Sequence, residues 1–168
     1  MNITILLKLL FAHIFADFVL QTNRICDGKK AAGKTRYIYL LLHSLIHAAT
    51  AYLLVARWDA WIIPSVIFST HFAMDYIKST YMKENMVSFI IDQVVHIAVI
   101  IVLWLCLLGR DADWGTAFSG IWDGNKVWIV VTAYMLALKP TSVLLNLFIK
   151  QWMPHDSKND DTLPHAGL

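Results

Sequence analysis

Histidine and aspartate recur four residues apart in otherwise apolar sequence, as His13/Asp17, His43/His47, His71/Asp75 and Asp92/His96. On a helix that spacing is about 6 Å of rise along one face, so each pair presents two side chains to one place. Neutral imidazole with carboxylate is the donor set of zinc, iron and manganese sites. A carboxylate at the centre of a membrane helix costs about 2.5–3.5 kcal/mol, less near the edge, and a bound divalent cation offsets it. The eight groups His13, Asp17, His43, His47, His71, Asp75, Asp92 and His96 are therefore the expected metal ligands. They exceed the needs of one tetrahedral ion, so the pattern predicts two ions, or one ion with an outer set of partners. Zinc is the first expectation, with iron or manganese as alternatives.

Asp17 and Asp92 are the expected catalytic residues, the one not bound to metal accepting a proton from water. Gln21, four residues after Asp17, Gln93 beside Asp92, and Lys78, three after Asp75, are the expected substrate-binding groups at the mouth of the site. Plainer roles exist for two of them: Lys78 can snorkel and Gln21 can cap its helix. Ser44 and Ser69 could serve as nucleophiles, although neither sits in a serine-centred motif. Cys106 lies toward the other end of its segment, which excludes thiolate ligation.

The elements that must carry these pairs are hydrophobic. Of 168 residues, 58% are apolar and 15% charged, with mean hydropathy +0.55. Soluble domains run at about 45–50% apolar and about 25% charged, so a soluble enzyme would lack the polar surface to cover itself. A net charge of +2 argues against a nucleic-acid partner, and two cysteines in different contexts argue against a disulfide scaffold. Five apolar stretches, about 3–21, 37–56, 60–78, 87–108 and 127–149, each reach membrane-spanning length. The first is the weakest, because it holds Lys8, His13 and Asp17. Pro64 falls in the first turn of the third stretch, and Pro140 should kink the fifth. The expected fold is all-α: residues 1–152 form a single polytopic helical bundle of about five transmembrane helices, followed by a polar, disordered tail over 153–168.

Lysine and arginine are concentrated in the first and third loops and the tail. The positive-inside rule then puts the N-terminus outside and the C-terminus in the cytoplasm. In that orientation all four pairs fall in the cytoplasmic half of the membrane, although none of them entered the topology argument. Trp58, Trp61, Trp104, Trp114, Trp122 and Trp128 flank the even loops and suit an outer aromatic belt, and the fourth loop is expected to dip into the interface through Trp114, Phe118 and Trp122. Lys139, beside Pro140, either balances the cluster or snorkels. Gly28, Gly33, Lys34 and Thr35 meet the spacing of a phosphate loop, but that motif needs a βαβ unit, and a basic inner loop near anionic lipid is the preferred reading.

The segments HIFADFVLQ (13–21), HSLIH (43–47), HFAMDYIK (71–78) and DQVVH (92–96), taken in order over about residues 5–105, resemble the bacterial membrane family of domain of unknown function 3307 (DUF3307). The resemblance implies a membrane-embedded helical fold in the bacterial inner membrane and a shared polar cluster, and it supplies no substrate. The pairs are also similar, more loosely, to those of helical membrane hydrolases that hold zinc between helices, the alkaline ceramidase and adiponectin-receptor group. The leading expectation is a metal-dependent hydrolase acting on a lipid or lipid-linked substrate at the cytoplasmic leaflet. The alternatives are a divalent-metal or proton transporter, a metal-binding membrane protein, and a structural subunit without catalysis. Membrane lipid is the expected partner, and a homo-oligomer is left open.

Overall fold

A computed structural model describes residues 3–83, 85–109 and 125–150. The expected tail over 153–168 and the fourth loop with Trp114, Phe118 and Trp122 lie outside these residues. Among the described residues six α-helices follow one another: α1 (Ile3–Phe15), α2 (Asn23–Lys30), α3 (Lys34–Val55), α4 (Ile62–Tyr81), α5 (Met86–Leu108) and α6 (Lys126–Lys150). A π-helical turn, Ala16–Leu20, extends α1. The described residues contain no strand.

Four segments, Ile3–Leu20, Lys34–Val55, Met86–Leu108 and Lys126–Ile149, are long and apolar enough to cross a membrane. Helix α4 is the third apolar stretch of the sequence and is absent from that group. It has 20 residues, about 30 Å of helix, so its length suffices. Its hydropathy is lowered by the residues it contributes to the interior, His71 and Asp75, and by Lys78 beyond them. The bundle is polar inside and greasy outside: Leu53, Val102 and Val130 are 58–64% exposed, whereas five histidines are nearly fully buried. That inversion is expected where the surrounding solvent is hydrocarbon and the ionisable groups turn inward.

Helices α1, α3, α4 and α5 form the body of the bundle, and α6 packs along α1 while barely touching α5. One half of the interior is apolar. Leu9, Ala51, Ile63, Ile67, Ile100, Leu103 and Trp104 interlock there, Leu9 and Ile63 with no exposure. Trp104 therefore belongs to this core and not to an aromatic belt, since its ring turns inward on α5. Trp58 and Trp61 are exposed at the α3–α4 turn, and Trp128 packs edge-on against Phe11 with Lys8 Nζ 5.4 Å above its ring. That contact gives Lys8 an aromatic partner inside an otherwise apolar helix.

The turn at this end is closed locally. Ala56 ends α3 in the left-handed conformation (φ 56°). Arg57 grips both carboxylate oxygens of Asp59 at 3.0 and 2.7 Å, hydrogen bonds that hold this exposed carboxyl below its ordinary range. Helix α6 runs through Pro140 unbroken. The carbonyl that the proline cannot serve, Leu136 O, accepts from Thr141 Oγ1 at 3.2 Å.

The first loop departs from expectation. Residues 23–30 form α2, which buries Ile25, Cys26 and Gly28 against α3. Gly28 is required there, because a Cβ would overlap the Tyr39 ring. The phosphate-loop spacing thus runs through a helix and the start of α3, with no strand before it. Arg36, at the start of α3, ties it to the end of α4 through Ser79 Oγ (2.9 Å) and Thr80 Oγ1.

Candidate metal centre

The four pairs arrive from α1 with its π-turn, α3, α4 and α5, and all eight groups meet in the half of the bundle opposite the apolar core. The π-turn sets the position of Asp17. Its wider 16–20 turn closes with Gln21 N on Ala16 O at 3.0 Å. Asp17 Oδ1 then stands 3.1 Å from His47 Nε2, 3.2 Å from His43 Nε2 and 4.0 Å from His71 Nε2. His13, its partner in the sequence pattern, is 3.6 Å from the other oxygen. Single π-turns inside α-helices are frequent at functional sites, and here one turns a carboxylate toward three imidazoles of two other helices.

Asp17, His43, His47 and His71 offer ligand atoms within 4.8 Å of one another. A second set, His71, Asp75 and His96, meets the same limit. His71 joins the two, with Nε2 4.0 Å from Asp17 Oδ1 and 4.0 Å from Asp75 Oδ2. The imidazoles are closely stacked: ring centroids are 3.6 Å apart for His47/His71 and 4.1 Å for His71/His96. Stacking of this kind leaves many ring nitrogens without protein partners. The Nε2 atoms of His13, His43, His71 and His96 are buried and form no hydrogen bond among the described residues. His43 Nε2 is near Asp17, and His96 Nε2 near Asp92, but both lack hydrogen-bond alignment. Orphaned buried polar atoms are costly. Four of them aimed at common carboxylates fit a divalent ion as the missing partner.

His13 and Asp92 stand beside the two sets and belong to neither. Asp92 is held by Lys78 Nζ at 2.7 Å, and its other oxygen is 3.3 Å from His96 Nε2. Gln93 Nε2 lies 3.4 Å from both Asp17 and Asp92, bridging the carboxylates expected to be catalytic. Gln21 points its amide to Cys26 Sγ (3.0 Å) and accepts from Lys29 Nζ (3.1 Å). Lys29 also donates to Asp75 Oδ2 at 2.9 Å.

Lys29 is the site residue that the sequence reading left in a generic basic loop. The available signal is the short repeat Ile25, Cys26, Lys29, which shares one face of α2. Ser44 is fully buried and its hydroxyl serves Leu40 O at 2.8 Å, while Ser69 faces outward, so neither is placed as a nucleophile. Lys139 is exposed on α6, apart from the buried cluster. Cys26 and Cys106 are both free.

A cavity of about 230 Å³ reaches the cluster from the lysine-rich end, with Asp17, Asp75 and Asp92 in its walls. On the other side His13, His47, His71 and His96 border a pocket of about 20 Å³, room for about one water, which ends on Leu9, Ile67 and Ile100. The polar cluster thus has its larger opening at the lysine-rich end of the bundle, and only a pocket of about one water on the side of the apolar core.

The DUF3307 profile, which describes proteins of unknown function, matches residues 5–123. The chain belongs to the DUF3307 family. The match contains all eight histidines and aspartates of the pairs and stops short of α6. No curated protein and no solved structure matches the chain.

Proposed function

We propose that this DUF3307 protein is a metal-dependent hydrolase embedded in the cytoplasmic membrane, acting on a lipid or lipid-linked substrate at the inner leaflet. The observation that carries the reading is the set Asp17, His43, His47 and His71, whose carboxylate also lines a cavity at the lysine-rich end of the bundle. Three imidazoles and a carboxylate suit zinc, iron or manganese. Asp75 and His96 then orient the ligands or help hold a second ion. A divalent ion supplies polarisation of a carbonyl or phosphoryl oxygen and lowers the pKa of water toward about 7.

The chain's own groups do the rest. Asp17 is engaged with three imidazoles, which leaves Asp92 as the proton acceptor facing the cavity. Lys78, at 2.7 Å from Asp92, positions that carboxylate to accept a proton from the attacking water. The leaving group, an alkoxide oxygen or an amide nitrogen, takes that proton from Asp92, which is reset. Gln93 orients the water between the two carboxylates, within 3.4 Å of each. The apolar core beyond the histidines disfavours a transport path, since Leu9 and Ile63 leave no polar route past them. The basic end, with Arg24, Lys29, Lys30, Lys34 and Arg36, faces the cytoplasm in this reading.

Hydrolysis of a panel of phospholipids and acyl amides by purified protein, with and without chelator, tests the reading. Metal-restored cleavage that is lost in Asp92→Asn supports it. Metal-driven uptake into proteoliposomes without any cleavage would replace it with transport.

A further inference from the structure

The cavity over the metal centre has two unlike walls. One is cationic: Lys29 and Lys78 reach its floor, and Lys30 and Lys83 stand exposed at its rim. The other is apolar: Phe18 and Phe89 meet edge-on at 6.2 Å, and Leu147 is the one lining residue from α6. Four lysines face three aspartates in the lining, a formal excess of +1 before any cation binds at the centre. A cavity so charged in a membrane protein calls for an anionic ligand.

We propose that the cavity binds the phosphate headgroup of an anionic lipid, whose acyl chains leave sideways between α5 and α6. At about 230 Å³ it is smaller than the roughly 300–1,000 Å³ of pockets that enclose a drug-sized ligand, so a headgroup fits and its chains do not. The side exit follows from the packing: α6 lies along α1 and barely touches α5, so beside the cavity the wall is Phe89 and Leu147. The two helices that bound this exit also expose apolar side chains, with Ile90, Ile91 and Val94 of α5 and Leu145 of α6 between 42% and 58% exposed. A soluble phosphate needs no such exit, which is why the lipid source is favoured. The proposal rests on the hydrolase reading for the fate of the ligand and not for its binding.

The test is binding to the full chain in detergent, in chelator, of three probes: dioleoyl phosphatidic acid, dioleoylglycerol and inorganic phosphate. Phosphatidic acid should bind at least tenfold more tightly than either of the others. Lys30→Ala with Lys83→Ala should weaken it about fivefold per lysine and leave dioleoylglycerol unchanged. These side chains are exposed, so the fold tolerates their loss. Leu147→Trp, which narrows the exit, should weaken phosphatidic acid and not inorganic phosphate. Equal binding of phosphatidic acid and dioleoylglycerol overturns the proposal. So does inorganic phosphate binding as tightly as the lipid with Leu147→Trp without effect. Lipid binding in a protein that retains no metal upholds this inference while the hydrolase reading falls, and metal retention without lipid binding does the reverse.

Discussion

Replacing Asp17 with Asn separates a metal centre from a structural polar network. Asp17 Oδ1 is the atom shared by His43, His47 and His71, so the substitution removes the only carboxylate of the four-residue set. Loss of a group one step removed from a metal weakens binding by roughly 10–100-fold, so loss of a direct ligand should cost at least about 100-fold. At a metal concentration 1,000 times the wild-type Kd, ligand linkage stabilises the wild type by about 4.1 kcal/mol; a 100-fold weaker variant retains about 1.4 kcal/mol. For a chain of this size about 2–4 °C accompanies each kcal/mol, giving shifts of roughly 8–16 °C and 3–6 °C. Without metal, the variant should melt near the wild type, because Asn keeps an acceptor for His47 and removes a buried charge. The assay is thermal unfolding in detergent, with and without zinc, manganese or ferrous iron. If the network is only structural, metal shifts neither protein. In that case Asp17→Asn in chelator lowers the melting point by an amount matching about 3–5 kcal/mol, the cost of breaking a buried ionic network. That pattern refutes the reasoning.

Three further outcomes follow. Asp92→Asn should weaken metal binding by about tenfold through His96, less than Asp17→Asn, while abolishing turnover; isothermal titration beside a turnover assay gives the order. Gly28→Ala should lift α2 from Tyr39, destabilise by about 1–3 kcal/mol and speed alkylation of buried Cys26, read by thermal unfolding and maleimide labelling. In a chain with Cys26 and Cys106 replaced by serine, Lys30→Cys should react with an impermeant maleimide only from the cytoplasmic side and Asp59→Cys only from the outside; the opposite pattern inverts the orientation.

The polar cluster was legible because each of four helices repeats His or Asp at one spacing, and because charged groups in apolar helices must turn inward. The spacing says nothing of which groups share an ion. His13 and Asp92 carry the same pattern as the others, yet the packing of α1 and α5 sets them beside the two ligand sets. The π-turn at 16–20 has no sequence mark in an apolar run, so Asp17 looked like a partner of His13 when its nearest imidazoles are on α3. Helix α2 was hidden by its length, eight residues with Ile25 and Cys26 alone to bury as apolar side chains, and with it went Lys29. Trp104 was misplaced by a rule of averages: tryptophan favours the interface, but on α5 the ring fills the apolar half of the core. Hydropathy likewise undervalues α4, which His71, Asp75 and Lys78 keep out of the group of apolar spans although it packs in the body of the bundle.

The most direct test of the central claim is anomalous diffraction from crystals of the purified protein, collected at the absorption edge of the metal it carries. The account predicts a peak bounded by Asp17, His43, His47 and His71. Crystals soaked in zinc, manganese or ferrous iron that show no peak among those four side chains would contradict it.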